Sequence, residues 1–241
     1  MSFLEIDRLD ARHGLLQAVR EVSFGVEKGE ILAFVGANGA GKTTLFRTIA
    51  GAHPATAGQI RLDGADVTAL PDHVRVRQGL ALVPEGRRLF SRMTVYENLI
   101  LAREAGRSGR WNLDSVLETF PNLKNRLKSK AGNLSGGEQQ ATAIGRALMT
   151  NPDVLLLDEV SLGLSPAAVA RVYDSLQALI ASGTTILVVE QDLNRALSIA
   201  KRIICMLEGQ IVAQGPVAEM TREKIMDAYF GLHRTNRENN A

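Results

Sequence analysis

The sequence is poor in several features that would place it in a specialised class of protein. It has one cysteine among 241 residues, so no disulfide can form within the chain, and a reducing compartment fits this composition. Its formal net charge is only +2, which gives no strong case for binding to nucleic acid or to a charged membrane surface. No apolar run approaches the length of about 18 residues that a membrane-spanning helix needs. The N-terminus also lacks the basic and apolar regions of a signal peptide. We therefore expect a chain that is soluble by itself and reaches a membrane only through a partner.

Two residue types occur once each, and neither indicates a site. Cys205 lies in the apolar run 203–207 and is expected to be a buried small hydrophobe rather than a reactive thiol. Trp111 lies in the polar stretch 103–112, which predicts an exposed loop. We expect the indole to pack this loop onto neighbouring helices rather than to bind a ligand.

The strongest pattern in the chain is a glycine-rich stretch between an apolar run, 31–35, and a helical pattern that begins near residue 45. It reads G-x-x-x-x-G-K-[ST], the phosphate-binding P-loop. Glycines allow several backbone N–H groups to point at one phosphate chain, and the helix N-terminus adds partial positive charge. We predict that Lys42 reaches the β- and γ-phosphates of a nucleotide and that the Thr43 hydroxyl ligates Mg²⁺. The predicted nucleotide-binding residues of this loop are Gly36, Ala37, Asn38, Gly39, Ala40, Gly41, Lys42, Thr43 and Thr44.

The distribution of apolar residues predicts an α/β fold with a mostly parallel sheet. Continuous apolar runs at 154–157 and 185–189 are typical of strands buried on both faces of a parallel sheet. Residues 3–30 alternate apolar and polar side chains, which favours half-exposed antiparallel strands. Apolar residues at spacings of three and four over 92–150 indicate helices. A tight hairpin is predicted at residues 208–210, and a last helix over Val217 to Leu232.

Two adjacent carboxylates follow the apolar run 154–157. Ligands bind at the C-terminal ends of the strands in sheets of this kind. We predict that Asp158 holds Mg²⁺, directly or through water, and that Glu159 polarises the attacking water as general base.

A second glycine-containing motif, LSGGEQQ, covers residues 134–140. Ser135 followed three residues later by Glu138 predicts a capping box at the start of a helix. The N–H groups at such a helix start can also bind an anion, so the two interpretations are compatible.

With this motif the sequence resembles the ATP-binding cassette (ABC) family, over nearly its whole length. LSGGEQQ matches the signature motif that distinguishes this family from other P-loop proteins. The resemblance implies that two cassettes enclose two ATP molecules head to tail. It also implies that the signature of one cassette contacts the ATP held by the opposite P-loop. The signature residues that would do so are Ser135, Gly136, Gly137 and Glu138.

The resemblance also implies an internal organisation for a single domain over residues 1–241: a P-loop NTPase core, an N-terminal antiparallel β subdomain and an inserted α-helical subdomain. The expected boundaries are approximately 1–30 and 58–70 for the β subdomain, 31–57, 71–91 and 151–216 for the core, 92–150 for the helical subdomain, and 217–241 for a C-terminal helix and tail.

Several family positions carry unusual residues. Glu85 occupies the Q-loop position, usually Gln, and can ligate Mg²⁺ or a water. Gln191 occupies the switch position, usually His, and can donate a hydrogen bond to the γ-phosphate but cannot carry a proton. His13 occupies the adenine-stacking position, usually Tyr, and the alternative for it is an exposed turn residue beside Gly14. Val160 stands where Pro is usual, after Glu159.

These departures together resemble ATPase subunits of bacterial importers for branched-chain amino acids, in particular the VPEGRR, SLGL and VEQ stretches. The resemblance implies hydrolysis of ATP with Mg²⁺, at the cytoplasmic face of the cell membrane. The implied partners are a second ATPase subunit (identical or paralogous), two permease subunits and, indirectly, an extracytoplasmic solute-binding protein; no nucleic acid is implied. A cytoplasmic permease helix would dock on the stretch Glu85 to Asn98.

Three alternative functions compare with this assignment as follows. An importer of urea or short amides would share these features. A soluble cassette protein acting on nucleic acid or ribosomes is disfavoured, because the sequence has no long heptad insertion and only one cassette. A P-loop kinase would not contain LSGGEQQ.

Overall fold

The computed structural model describes residues 2–181 and 183–230. The chain forms two compact units, one of Met1–Leu70 with Leu187–Ala241 and the other of Pro71–Ile186. The strands are β1 (Leu4–His13), β2 (Leu16–Val26), β3 (Ile31–Val35), β4 (Ala57–Leu62), β5 (Ala65–Asp66), β6 (Leu80–Val83), β7 (Val154–Asp158), β8 (Thr185–Val189), β9 (Arg202–Leu207) and β10 (Gln210–Pro216). The helices are α1 (Lys42–Ile49), α2 (Asp72–Gln78), α3 (Val95–Ala105), α4 (Leu113–Thr119), α5 (Gly136–Leu148), α6 (Pro166–Ala181), α7 (Leu193–Ile199) and α8 (Arg222–Phe230), with short 3-10 turns at Pro121–Arg126, Ala131–Asn133 and Val217–Glu219.

The first unit contains the predicted antiparallel strands, in the order β2–β1–β4–β5. Leu4 pairs with Val26 on one side and with Leu62 on the other. Buried and more exposed side chains alternate along β1, and this alternation shifts by one residue between Ile6 and Leu9, where the pairing with β2 is irregular. This period of two is what the sequence predicts, because one face of the sheet is buried and the other meets water.

The same unit contains the strand that leads into the glycine-rich loop. Strand β3 is buried along its whole length and runs parallel to β9, with Val35 opposite Cys205. Strand β9 turns back at residues 208–209 into antiparallel β10, which confirms the predicted hairpin. Burial raises the pKa of the Cys205 thiol to about 11, so this cysteine is an inert core residue as expected.

The second unit packs helices around a parallel strand pair. Strands β6 and β7 run side by side with Val83 opposite Leu157, and helix α5 packs against β6, α3 and α6. Gly145 lets α5 approach α4 and α3 closely, because a Cβ there would lie only 2.8 Å from Val116 Cγ1 on α4 and 3.2 Å from Leu99 Cδ2 on α3. Strand β8 begins in this unit and ends in the first. The combination of antiparallel strands, parallel strands and helices confirms the predicted α/β class.

Two local predictions need correction. The exposed loop predicted over 103–112 is shorter than expected, because α3 continues to Ala105. The Trp111 side chain is buried, as expected for an indole that packs this loop, and the backbone N–H of Trp111 donates to Asn151 Oδ1 at 2.7 Å. The last helix begins at Arg222 and not at Val217, because a 3-10 turn follows Pro216. The end of that prediction, Gly231 and Leu232, and the tail lie outside the described residues. No described helix combines the length and the apolar character that crossing a membrane requires.

Candidate functional site

The glycine-rich loop follows β3 and ends where α1 begins. Gly36 and Gly41 have backbone φ angles of 153° and 96°, in the region that favours glycine. A Cβ at Gly36 would lie 2.2 Å from the Met206 carbonyl oxygen, and one at Gly41 would lie 2.2 Å from that of Ala18. These two glycines are therefore required by close backbone contacts as well as by their φ angles.

Lys42 points into this loop. Its side chain is only 4% exposed, and its ammonium donates to the carbonyl oxygens of Gly36 at 2.7 Å and Ala37 at 2.9 Å. The loop carbonyls hold this buried positive charge at the N-terminus of α1. The dipole of α1 favours an anion at the same place. The loop therefore presents the electrostatic features of a phosphate-binding site.

His13 lies at the end of β1 and contacts the first turn of α1. Its Nε2 is 3.1 Å from the Thr44 hydroxyl oxygen, and its ring centroid is 4.4 Å from that of His53. Burial, and secondly the neighbouring His13, lower the pKa of His53, so the His53 ring is neutral at pH 7. His13 is exposed and is the last residue of β1, so it lies next to the turn at Gly14 and beside Thr44 of the loop.

Gln191 belongs to the same unit as the loop. The backbone N–H of Glu190 donates to the carbonyl oxygen of Phe34 at 3.1 Å, which ties the end of β8 to the strand that precedes the loop. Gln191 is exposed, and Asp192 next to it caps α7 by accepting from two backbone N–H groups. The residues on either side of Gln191 are therefore fixed, Glu190 by β3 and Asp192 by α7.

The paired carboxylates lie at the C-terminal end of β7 in the second unit. Asp158 is the last residue of the strand and is 1% exposed. Glu159 is half-buried and has a φ angle of 50°, which an L-residue adopts only at a cost in free energy. Because β6 and β7 are parallel neighbours, the exposed Glu85 two residues after β6 leaves the sheet at the same edge. The structure thus brings Glu85 to the strand edge that carries the two acids.

The predicted capping box is present at the start of α5. The Ser135 hydroxyl accepts from the Glu138 backbone N–H at 3.4 Å, and the Glu138 carboxylate accepts from that of Ser135 at 2.9 Å. Gly137 permits α6 to approach, since a Cβ there would lie 2.9 Å from Ala168 Cβ. A cleft of about 690 Å³ opens beside this helix start, between α5, α6 and the end of α4.

Sequence reasoning missed Arg126. Its Nε donates to Glu138 Oε1 at 2.8 Å. Burial raises the pKa of Glu138, but the hydrogen bonds from Arg126 and Ser135 outweigh burial and leave the pKa below its ordinary value. Arg126 therefore keeps the carboxylate ionised and in place, a role that no motif spacing indicates.

These features define a P-loop nucleotide-binding protein. The family model described as "ABC transporter" matches residues 19–161, more than half of the chain. The chain belongs to the ABC transporter family.

Relatives match the chain along nearly its whole length. It is 44% identical over 231 residues to the high-affinity branched-chain amino acid transport ATP-binding protein BraG of Pseudomonas aeruginosa, covering 95% of this chain and 99% of BraG. It is 32% identical over 221 residues to the lipopolysaccharide export system ATP-binding protein LptB of Escherichia coli K12, covering 89% of this chain and 91% of LptB. A solved structure described as the ADP conformation of an ATP-binding cassette of an ABC transporter superposes with a TM-score of 0.82 at 28% identity, covering 96% of this chain and 99% of that one.

Proposed function

We propose that the chain is the ATP-hydrolysing subunit of a bacterial importer for branched-chain amino acids. The observation that carries this proposal is the 44% identity to BraG over 231 residues, which covers 95% of the chain. The lower identity to LptB, 32% against 44%, supports an importer subunit over an export subunit. An importer of urea or short amides would use the same ATPase features, so transport assays must separate the two.

We also propose, as the family resemblance implies, that ATP binds together with Mg²⁺. Thr43, Asp158 and Glu85 offer a hydroxyl and two carboxylates, the hard oxygen donors that Mg²⁺ prefers. Bound there, the ion would neutralise phosphate charge. We propose that Lys42 binds the phosphate chain, that Glu159 takes a proton from the attacking water, and that His13 faces adenine.

The signature residues are proposed to act on the ATP of a second cassette. Ser135, Gly136 and Gly137 line the cleft beside α5, so a ligand in this cleft would meet the start of that helix. Arg126 supports this role by fixing the Glu138 carboxylate, which in turn holds Ser135. The second cassette is either a copy of this chain or a paralogue.

The subdomain boundaries inferred from the family are also a proposal. We propose that residues 92–150 act as a helical subdomain and that 1–30 with 58–70 act as a β subdomain. Limited proteolysis with and without nucleotide is the measurement that would locate these boundaries.

Gln191 is proposed to sense the γ-phosphate through its amide. An amide does not titrate in the physiological range, so this position contributes no ionisation to the pH dependence of turnover. Changing Gln191 to Ala should lower kcat by about tenfold to a hundredfold, the effect of losing a hydrogen bond to a charged group. Changing it to His should preserve or raise kcat. Steady-state ATPase rates across pH measure both effects, and a wild-type rate in Gln191→Ala would remove Gln191 from the reaction.

The membrane partner is proposed to dock on a groove of the second unit. The groove has a volume of about 410 Å³ and is lined mainly by apolar side chains from α3, α5 and the segment after β6. Phe90 is 51% exposed at its edge, and Tyr96 and Leu101 on α3 are also exposed, while Leu89 is half-buried. Apolar side chains beside the exposed Arg88 suit a protein interface. Docking on this groove would hold the ATPase at the cytoplasmic face of the membrane.

Changing Phe90 to Ala, or Arg88 to Glu, is expected to uncouple transport from hydrolysis. Each change removes a contact or reverses a charge at the groove, but neither touches the loop around Lys42. We expect the isolated subunit to keep its fold and ATP binding, and co-purification with the permease to fall by about tenfold or more, as for a central interface residue. Met226→Ala, an exposed apolar residue on α8, is the matched control. Unchanged co-purification and transport in both groove variants would place the docking surface elsewhere.

A further inference from the structure

The segment that leads to Phe90 has an unusual backbone. Gly86, Arg87 and Arg88 have φ angles of 74°, 64° and 46°, so three successive residues are left-handed and two of them are not glycine. Side chains with a Cβ resist this conformation, and single residues adopt it far more often than runs do. Contacts from outside the segment must therefore hold it.

Arg146, in the last turn of α5, makes those contacts. Its Nη1 donates to the carbonyl oxygen of Arg88 at 2.8 Å, and its Nη2 donates to that of Arg87 at 3.2 Å. The same guanidinium lies over the ring of Phe90, with Cζ 5.7 Å from the ring centroid. One planar side chain thus holds both non-glycine carbonyls and the exposed aromatic ring. A guanidinium suits this role because its donors are fixed in a fork and its face stacks on aromatic rings.

Two further contacts hold this segment, one at Arg87 and one at Phe90. Arg87 Nη1 donates to Gln139 Oε1 at 2.9 Å, in the first turn of α5. The side chain of Asn98, fully buried on α3, bonds both the N–H and the carbonyl oxygen of Phe90, at 3.0 and 3.1 Å. The helix that begins with the signature motif therefore holds the left-handed turn from its first turn and from its last.

We propose that Arg146 is a positioning residue that keeps residues 86–88 left-handed and so presents Phe90 to the membrane partner. It connects the docking groove to the helix that carries Ser135 and Glu138. The presentation of Phe90 to a partner rests on the proposed docking function. The hold of Arg146 on residues 87 and 88 is a property of the isolated chain.

Two simpler roles make different predictions. If Arg146 only packs the end of α5, the effect of Arg146→Ala does not depend on whether residue 88 is Gly or Ala. If the turn holds itself through its local hydrogen bonds, such as Arg88 N–H to the Gly86 carbonyl oxygen at 2.6 Å, removing Arg146 changes nothing there. Glycine adopts a positive φ without the penalty of a Cβ, and alanine does not. A comparison of Gly with Ala at position 88 therefore tests whether Arg146 holds the turn left-handed, because both changes remove the arginine side chain at position 88.

The experiment measures hydrogen exchange of the amides at 85–90 in the full chain. Arg146→Ala should speed exchange at Arg87, Arg88 and Phe90 by about tenfold or more, since their hydrogen bonds depend on the turn. Arg146→Lys should give an intermediate effect, because an ammonium cannot hold both carbonyls with the same fork. Adding Arg88→Gly to Arg146→Ala should restore protection and part of the co-purification with the permease, whereas adding Arg88→Ala should restore neither.

Three outcomes would overturn the proposal. They are wild-type exchange in Arg146→Ala, equal behaviour of the Gly and Ala double variants, and full protection in Arg146→Lys. Thermal unfolding and binding of a fluorescent nucleotide establish that each variant folds. If Arg146→Ala does not fold, hydrogen exchange in Arg146→Lys provides the test. If Phe90→Ala leaves co-purification unchanged, the docking function fails, while hydrogen exchange still decides whether Arg146 holds the turn.

Discussion

Glu159→Gln is expected to bind ATP normally and to hydrolyse it about 10²- to 10⁴-fold more slowly than the wild type, the range for loss of a general base. The amide keeps the size of the side chain but cannot accept the proton of the attacking water. Glu159 follows buried Asp158 and has a φ angle of 50°. Backbone strain retained at such a position is typical of a functional residue.

The same variant should accumulate an ATP-bound dimer, because hydrolysis is what reopens the proposed pair of cassettes. Gel filtration with ATP and Mg²⁺ measures the mass, and a phosphate-release assay measures turnover. Glu104→Gln, which neutralises an exposed carboxylate on α3, is the matched control and should behave as wild type. Hydrolysis at the wild-type rate in Glu159→Gln would exclude Glu159 as the base.

Lys42→Ala is expected to fail one step earlier, in binding. Its ammonium is buried in the loop, where two carbonyl oxygens hold it, so no solvent-exposed cation can replace it. A hydrogen bond to a charged group contributes about 1.5–3 kcal/mol, which predicts that the Kd for ATP rises by about tenfold to 150-fold. Titration of a fluorescent ATP analogue measures the Kd.

The control for Lys42→Ala is Lys124→Ala, which removes one positive charge from the exposed surface of the 3-10 turn Pro121–Arg126. Its affinity for nucleotide should not change. Equal affinities for Lys42→Ala and wild type would mean that the loop binds phosphate through its backbone alone. Together, Lys42→Ala and Glu159→Gln distinguish a loss of ATP binding from a loss of ATP hydrolysis.

Much of the fold is predictable because its signals are local. The loop glycines lie between a buried strand and a helix, as the motif requires, and the pattern S-x-x-E at Ser135 does form a capping box. The continuous apolar runs of β7 and β8 are strands buried along their length. In each case the sequence pattern itself spans only a few consecutive residues, so a single sequence contains it.

The parts that escaped prediction depend on contacts between distant residues. Arg126 and Arg146 have no motif, and the carbonyl that Arg146 Nη1 contacts belongs to a residue 58 positions earlier in the chain. The start of the last helix was misplaced because the 3-10 turn after Pro216 has the same local composition as a helix start. The roles of Glu85, Gln191 and His13 stay predictions, since they depend on a nucleotide.

The most direct test of the account is ATP-driven uptake of labelled amino acids into proteoliposomes. The vesicles contain the chain together with the proposed permease subunits and solute-binding protein, and ATP is supplied on the cytoplasmic side. We expect uptake of leucine, isoleucine and valine that requires ATP and is lost with Glu159→Gln, and no uptake of urea or acetamide. ATP hydrolysis accompanied by uptake of urea or acetamide, and none of leucine, would contradict the assignment of substrate. Leucine uptake that persists with Glu159→Gln would contradict the proposal that this chain powers it.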